Sequence, residues 1–457
     1  MGECQGSAEM ATSMKVSWSW TARGWMWGLC FLALVLTSCK STEAPVTLNY
    51  PHGWSFRPDE LATRAALSEQ FTRETGIHVR DIPTPESTFD QLDLYRKLLR
   101  QENSGADLLG IDSIWSDLLA PDLIDLEPYL AADISSVMPQ LLPSYTVDGK
   151  VVAIPYQVNI GSLEYRIDLL HEYGYDHPPE TWDELERMAS RIQAGERAKG
   201  KKDFWGFVWQ GAVAESLTCN ALEWQAAEGG GRIVESDRTI SVNNPAAIRA
   251  WERARHWIGW ISPPSVVAYR ERDSMNLFDS GRAAFNRVWL GTSTARSGPS
   301  SQVHWRSLEP RVKTGFTSMP GGRVRAGGTL GGAGLAVSRH SAHLQEAIKL
   351  VQFLVHAQIA SIEKRWNANS NQPEFYNVRP ASEALTDSER GIQSGSAVIH
   401  RPSIETGSKY NQVSAAYVGA VHAVLTGQKG APEAAAELEK QLIQITGFRP
   451  GPPKEGK

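Results

Sequence analysis

The sequence predicts an α/β fold that is divided into two lobes. Strand and helix patterns alternate along the chain after Pro45, an order typical of a mainly parallel sheet with helices on both faces. About 410 residues follow that point, which is more than one hydrophobic core usually holds. Cys219 is the only cysteine in this region, so we expect no internal disulfide.

The first 38 residues have the composition of a removable leader. Lys15 and Arg23 supply positive charge ahead of an uninterrupted apolar run, Trp25–Leu36. This run is shorter than the roughly 20 residues that a membrane-spanning helix needs, and it suits the core of a signal peptide. Leu36-Thr37-Ser38-Cys39 follows at once and resembles a bacterial lipobox. We therefore expect a lipoprotein signal peptide over 1–38 and lipidation of Cys39, with an ordinary signal peptide as the alternative.

The residues between this leader and the fold are few and polar. Positions 39–45 end in Pro45 and suit a tether between the lipid and the folded part. The long stretch ahead of the apolar run leaves Met10 and Met14 as alternative starts of translation. We expect an exported, membrane-anchored protein that faces the periplasm or the cell exterior.

The first part of the fold shows five alternating elements. Strand patterns occur at Val46–Tyr50, Ile77–Ile82 and Asp107–Ile111, and helix patterns occur at Pro58–Thr72 and Phe89–Arg100. Pro58, followed by acids in the first turn, begins the first helix. Apolar residues on one face predict the second helix.

The next elements depend on proline and glycine signals. Val151–Tyr156 indicates a strand broken by Pro155, and Leu163–Leu170 indicates a strand passing into a short helix. Thr181 and Glu184 form a capping box that begins a further helix. Ser341–Ala357 carries a helical apolar stripe. The glycine-rich stretch 321–334 predicts a turn followed by a closely packed strand.

Composition excludes several classes of function. A net charge of -5 argues against nucleic acid as the partner. The 11 histidines are scattered, and no Cys/His cluster has metal-ligand spacing, so we expect neither a metal nor a cofactor. The glycines at 327–334 lack the Gly-Lys-Ser/Thr ending of a phosphate loop. The 16 tryptophans suit either stacking on sugars or core packing, and composition leaves both uses open.

A series of motifs, in a fixed order, carries a family resemblance. The motifs are Tyr165-Arg166-Ile167-Asp168-Leu169-Leu170, the stretch from Phe204 to Gly211 (FWGFVWQG), the stretch from Glu215 to Trp224 (ESLTCNALEW), Ile261-Ser262-Pro263-Pro264, Gly281-Arg282-Ala283-Ala284-Phe285 and Arg401-Pro402. Together they resemble the family 1 extracellular solute-binding proteins of ABC importers, in particular the trehalose/maltose-binding lipoproteins. The resemblance covers about residues 46–445.

This resemblance implies a two-lobed periplasmic-binding-protein fold of type II, in which a sugar binds in a cleft between lobes joined by crossing segments. Lobe I would comprise 46–155 and 328–359, lobe II 156–327 and 360–448, and a tail 449–457. The lobes close around a small saccharide, and the permease subunits of the transporter recognise the closed form. We expect a monomer without catalytic activity.

Five polar residues fall at positions where the family places sugar contacts. Glu60 lies at the start of the first helix, where an acid also favours the helix dipole. Asp112 follows a buried strand at its carboxyl end, the usual ligand edge of an α/β sheet. Asn159 stands where several relatives have an aspartate, Glu271 follows Ala268-Tyr269-Arg270, and Arg401 is a candidate hydroxyl donor or a member of a surface ion pair.

Further candidates come from aromatic and glycine positions. Trp289 matches the family's stacking tryptophan, with a core role as the alternative. Trp209 and Gln210 lie in the best-matched motif, where they either contact sugar or shape the lobe. Gly332 would bring backbone close to the ligand.

Two departures from the family concern the identity of the sugar. Ala333 and Gly291 stand where relatives commonly carry aromatic residues. Neither trehalose nor maltose can therefore be transferred as the ligand, and the sequence predicts an unspecified di- or oligosaccharide.

Two other functions are compatible with the sequence alone. A surface glycoside hydrolase could use Glu60 and Asp112, provided that the two carboxyl groups lie at the separation that hydrolysis needs. A sensing or sugar-presenting protein could retain the same lobes without a permease. The resemblance supplies no catalytic pair and favours transport.

Overall fold

The computed structural model describes residues 44–52, 58–85, 87–101, 105–135, 141–291, 314–324, 327–369 and 398–454. The predicted signal peptide and Cys39 lie outside the described residues. From Val46 onward the chain belongs to one unit. Within the described ranges, no helix is long and apolar enough to cross a membrane.

Strands and helices alternate through most of this unit. The strands are β1 Thr47–Pro51, β2 His78–Ile82, β3 Leu108–Asp112, β4 Thr146–Val147, β5 Lys150–Val151, β6 Ile154–Arg166, β7 Trp205–Val208, β8 Thr239–Ile240, β9 Ala283–Gly291, β10 Thr314–Ser318, β11 Gly328–Val337, β12 Val398–Ile399 and β13 Arg449–Pro450. The helices are α1 Pro58–Thr75, α2 Thr88–Leu99, α3 Ser116–Leu119, α4 Glu127–Ser135, α5 Ile167–Glu172, α6 Trp182–Ala198, α7 Glu215–Ala227, α8 Pro245–Trp257, α9 Glu271–Asp279, α10 Leu344–Asn369, α11 Ser403–Thr406, α12 Tyr410–Leu425 and α13 Ala431–Thr446.

The central sheet is mixed, so the prediction of a mainly parallel sheet is wrong. Its strand order is β12-β11-β6-β9-β7, with β10 also paired to β6 and β3 to β11. β6 runs antiparallel to β9, β10 and β11, and β3 runs antiparallel to β11. The alternation of strands and helices did not reveal that the 13-residue strand β6 pairs along its length with three different strands.

Pro155 does not interrupt this long strand. It lies inside β6 opposite Gly334, next to an irregularity where the register with β11 shifts between Ala333 and Gly334. Because proline has no N–H to donate, it is accommodated where the ladder is already disturbed. The predicted strand Val151–Tyr156 is divided, because Val151 belongs to β5, and its part from Ile154 onward is continuous with the predicted strand that leads into α5.

Local signals fixed the starts of several helices. Thr181 caps α6 by accepting a hydrogen bond from the N–H of Glu184 at 3.2 Å, as predicted. The Glu184 carboxylate accepts its own bond from the N–H of Glu180, one residue before the cap. α10 begins at Leu344 and is longer than its predicted stripe, because the helical backbone continues to Asn369.

Buried apolar residues form separate clusters. The largest cluster draws its members mainly from residues 163–285 and 399–442. Two others combine residues 48–154 with residues 335–355. Tyr410 joins one of these two, although α12 otherwise buries its apolar residues in the largest cluster. The lobe boundaries stay a prediction. The division of the buried apolar residues into these clusters supports it.

Four indole rings lie at the centre of the largest cluster. Trp257 contacts Trp182, Trp224 and Trp209, with ring centroids 5.2, 5.6 and 6.4 Å away. Trp209 and Trp224 meet edge to face at 5.0 Å. These rings account for four of the 16 tryptophans of the sequence, and they serve packing.

The end of the described chain is part of the fold. β13 pairs in parallel with β8, and the N–H of Gly451 donates to the carbonyl of Ile240 at 2.9 Å. Lys454 forms an ion pair with Asp237 at 2.5 Å. Residues 449–454, which belong to the predicted tail, therefore pack against the rest of the fold.

Candidate functional site

One face of the central sheet collects three of the predicted site residues. Asp112 is the last residue of β3 and lies opposite Ala333 of β11, and Asn159 of β6 lies opposite Gly331 of the same strand. Trp289 of β9 lies opposite Gly161, two positions after Asn159 on β6. Residues opposite each other and residues two apart project to the same face of a sheet. Asp112, Asn159 and Trp289 therefore share one face, with β3 and β6 two strand spacings apart, or about 10 Å.

At one side of this face, Asp112 forms a buried ion pair with Arg401. Nη2 of Arg401 donates to Oδ1 of Asp112 at 2.8 Å, and Nη1 donates to Oδ2 at 3.3 Å. The hydroxyl of Ser113 accepts from Nη2 at 3.2 Å. Arg401 follows β12, so a contact between distant parts of the sequence sets the orientation of the Asp112 carboxylate. The predicted surface ion pair of Arg401 is in fact buried, since its side chain is 3% exposed.

A second carboxylate, that of Glu215 at the start of α7, completes this group. Nη1 of Arg401 donates to Oε1 of Glu215 at 3.1 Å. The hydroxyl of Tyr410 donates to the same oxygen, and Ser414 donates to Oε2 at 2.6 Å. Burial raises the pKa of Glu215, and the Arg401 guanidinium partly offsets that rise. Two acids thus share one cation, and together they hold Arg401 in a single orientation.

At the other side of the face, the ring of Trp289 is partly exposed and packs against neighbouring residues of the same face. The guanidinium carbon of Arg287 lies 3.9 Å from the ring centroid. Gly331 of β11 lies beside the ring, where a Cβ atom would come within 2.9 Å of it. The indole is therefore held in place while one part of it remains accessible, as a stacking platform requires.

The backbone of β11 requires a glycine at position 332. Its φ of +130° is one that side chains rarely adopt, and an added Cβ would lie 2.1 Å from the carbonyl oxygen of Gln157 on β6. The carbonyl of Gly332 accepts from the N–H of Ser113 at 3.4 Å. The closely packed strand that the glycine-rich stretch predicted is thus present as β11, whereas the contact of Gly332 with a ligand stays a prediction.

Trp209 and Gln210 make contacts typical of core residues. Nε1 of Trp209 donates to the hydroxyl of Ser262 at 3.0 Å, and the ring is fully buried. Nε2 of Gln210 donates to Ser274 at 2.7 Å and to the carbonyl of Arg287 at 2.9 Å. These contacts favour the interpretation that the two residues shape the fold, and their ligand contact stays a prediction.

The remaining two candidates are Glu60 and Glu271. Glu60 lies in the first turn of α1, and its side chain is outside the described part. Glu271 is the first residue of α9 and is partly exposed. Their roles as ligand contacts stay predictions.

Sequence reasoning missed three residues of this region, Glu215, Glu223 and Arg287. Each lies in or close to a motif that carries the family resemblance, and each is 5% exposed or less. The sequence signal that could have identified them is a charged residue inside a segment whose other residues are buried. A charge in such a position needs a partner, and its identity could not be read from the run itself.

Within the described ranges, no group of three or more His, Cys, Asp or Glu residues could hold a metal ion. A sheet face that carries a buried carboxylate, an amide and a partly exposed indole suits a neutral polyhydroxylated ligand.

Comparison with known proteins shows the family. The chain belongs to the bacterial extracellular solute-binding proteins, whose pattern it matches over residues 54–360. This confirms the family that the motifs predicted, and it implies an exported protein. The family and the relatives below are binding proteins of transporters.

Individual relatives agree with this assignment. A probable ABC transporter-binding protein of Deinococcus radiodurans is 36% identical over 386 residues, which cover 83% of this chain and 89% of the relative. The maltose-bound MalE3 of T. maritima is 29% identical with a TM-score of 0.71, covering 88% of this chain and 99% of that chain. A solute-binding protein of Thermotoga lettingae bound with alpha-D-tagatose has a TM-score of 0.70 at 20% identity, covering 88% and 100%. The mixed α/β fold is thus that of periplasmic solute-binding proteins.

Proposed function

We propose that this protein is the lipid-anchored binding component of an ABC importer and captures a di- or oligosaccharide for a membrane permease. The observation that carries the proposal is the sheet face on which Asp112, Asn159 and Trp289 lie together. A carboxylate and an amide pair with sugar hydroxyls, and an indole covers the apolar face of a sugar ring.

Arg401 supports this assignment as a hydroxyl donor. Among the described residues its buried Nε has no acceptor, while its two terminal nitrogens are held by Asp112 and Glu215. A ligand hydroxyl near Nε would supply an acceptor and gain a charge-assisted hydrogen bond. The orientation of the guanidinium is set in advance, so little side-chain freedom is lost when the sugar binds.

The proposed saccharide lies between two lobes, 46–155 with 328–359 and 156–327 with 360–448. Closure of these lobes excludes water and strengthens the polar contacts. The maltose in the T. maritima structure supports a saccharide as the ligand class. Ala333 lies directly opposite Asp112 and offers no aromatic surface there. The proposal therefore names a class of saccharide and not maltose.

A thermal-shift screen tests the ligand class. The chain from Ser41 onward is heated alone and with each member of a saccharide library, because a ligand that binds the folded state raises the melting temperature. Calorimetry then measures the affinity of each active compound. A library that produces no shift, while amino acids or peptides do, would contradict the proposal. Release of smaller sugars during incubation would instead indicate the hydrolase.

The lipid anchor is tested separately in cells. The full chain and Cys39→Ser are expressed with a labelled fatty acid, and membranes are separated from soluble fractions. We expect the wild-type chain to carry the label and to remain with the membranes, and Cys39→Ser to do neither. Equal association of both variants with the membrane would leave the ordinary signal peptide as the correct interpretation.

A further inference from the structure

Next to Trp289 lies a fully buried ion pair that has no part in the proposed ligand contacts. Nη2 of Arg287 donates to Oε1 of Glu223 at 2.6 Å, and Nε donates to Oε2 at 3.2 Å. Arg287 is 0% exposed and Glu223 is 1% exposed. This two-point contact fixes the plane of the guanidinium as well as its position.

The pair also reaches a third element, strand β11. Oε1 of Glu223 accepts from the N–H of Thr329 at 3.0 Å and from its hydroxyl at 2.5 Å. Nη2 of Arg287 donates to the same hydroxyl at 3.1 Å. Gly161 of β6 completes the enclosure, because a Cβ there would lie 1.9 Å from Oε1 of Glu223. The guanidinium is therefore held by β9, α7 and β11 together.

Replacing a buried ion pair by apolar residues of similar size is often neutral or stabilising, so stability alone does not account for this one. Its geometry relative to Trp289 is specific. Arg287 and Trp289 are two residues apart on β9 and share a face, and the guanidinium carbon lies 3.9 Å from the indole centroid. A desolvated cation at this distance attracts the ring strongly.

We propose that Arg287, fixed by Glu223, is a positioning residue that holds the indole of Trp289 in its stacking orientation and thereby sets the affinity for saccharides. This inference rests on the proposed function. Arg287 contacts the ring itself, and its side chain is fully buried. Lysine at this position would keep the charge but lose the flat surface that supports the ring.

A double-mutant cycle separates positioning from a general structural role. Saccharide affinity is measured by calorimetry for the wild type, Arg287→Lys, Trp289→Ala and the double variant. We expect Arg287→Lys to weaken binding on the order of tenfold, and to have no further effect once Trp289 is alanine. An equal loss in both backgrounds would refute the proposal, because Arg287 would then act independently of the ring.

Arg166→Lys is the matched control. Arg166 is also a buried arginine of the central sheet, and it forms a two-point pair with Asp168 at 2.8 and 2.6 Å. It has no contact with Trp289, so its replacement should leave saccharide affinity unchanged. If Arg287→Lys does not fold, Thr329→Val replaces it. This change removes the hydroxyl that ties the pair to β11, and its effect should likewise vanish with Trp289→Ala.

Fluorine NMR of fluorotryptophan-labelled protein gives a readout that needs no ligand. The Trp289 signal is assigned from its loss in Trp289→Phe. We expect it to shift or broaden in Arg287→Lys and to stay unchanged in Arg166→Lys. If the wild type binds no saccharide, the proposed function fails while this spectrum still decides the positioning role. An unchanged Trp289 signal in Arg287→Lys would refute that role by itself.

Discussion

Replacement of Arg401 by methionine should destabilise the fold more than most single substitutions. Arg401 is the only cation in contact with Asp112 and Glu215 among the described residues, at 2.8 and 3.1 Å. Its side chain is 3% exposed, and each of the two acids is 6% exposed. The substitution preserves much of the side-chain volume, so the main change is the loss of charge.

The magnitude follows from the burial of the two acids. Breaking a buried ion pair by removing one partner costs about 3–5 kcal/mol, because an uncompensated charge remains in the interior. Here two carboxylates remain, although Tyr410 and Ser414 continue to donate to Glu215. We therefore expect a loss of about 3–5 kcal/mol in the free energy of unfolding near neutral pH.

The loss should depend on pH in a defined direction. Burial already raises the pKa of Glu215 above its ordinary value of 4.5, and Arg401 opposes that rise. Without Arg401 the folded-state pKa is higher still, so the folded protein binds a proton more readily than the unfolded chain. The free energy of unfolding of the variant then rises as pH falls toward the ordinary value, and the deficit relative to wild type becomes smaller.

Urea denaturation followed by tryptophan fluorescence measures both effects, at about pH 7.5 and about pH 5.5. Arg282→Met is the control, because Arg282 and Asp203 form an exposed pair with side chains 48% and 65% accessible. That control should lose less than about 1 kcal/mol. A similarly small loss for Arg401→Met, or a deficit that is the same at both pH values, would refute this account of the buried group.

The other expected outcomes concern single positions. Trp289→Ala should weaken saccharide binding by about 1–3 kcal/mol, and unchanged calorimetry with an intact fold would remove this ring from the site. Asp112→Ala should cost roughly 1.5–3 kcal/mol of binding, and normal affinity would mean that the ligand lies elsewhere. Gly332→Ala should lower the melting temperature, because a Cβ there would lie 2.1 Å from a backbone oxygen; an unchanged value would show that the strands separate at little cost. Cys219 should resist thiol reagents in the folded protein and react in denaturant, since burial raises the pKa of its thiol to about 12; rapid native reaction would contradict that burial.

Much of the fold could be predicted because its signals are local. Pro58 and Thr181 mark helix starts through contacts within a few residues, and the structure has helices at both points. The buried strand that ends at Asp112 follows from a short apolar run. The pairing of β6 with three other strands could not be predicted in the same way, because register between strands depends on residues far apart in the sequence.

The candidate site shows the same limit. Asp112 and Arg401 were each selected, but their contact joins positions 289 residues apart, and nothing near either residue indicates it. The role of Glu215 could not be predicted either, because its partners Arg401 and Tyr410 lie 186 and 195 residues away. Arg287 was passed over because its partner Glu223 lies on another element, 64 residues away.

The four closely packed indoles of the largest cluster also affect how the protein absorbs polarised light. Trp257 has three indole neighbours with centroids 5.2 to 6.4 Å away, and two of these rings lie nearly perpendicular to it or steeply inclined. When indole rings lie this close together and at such angles, their electronic transitions couple as excitons. The far-ultraviolet circular dichroism of the folded protein should therefore contain an aromatic couplet on top of the backbone signal. Helix content read from that spectrum alone would be distorted, and the couplet would report the integrity of this cluster independently of the helices.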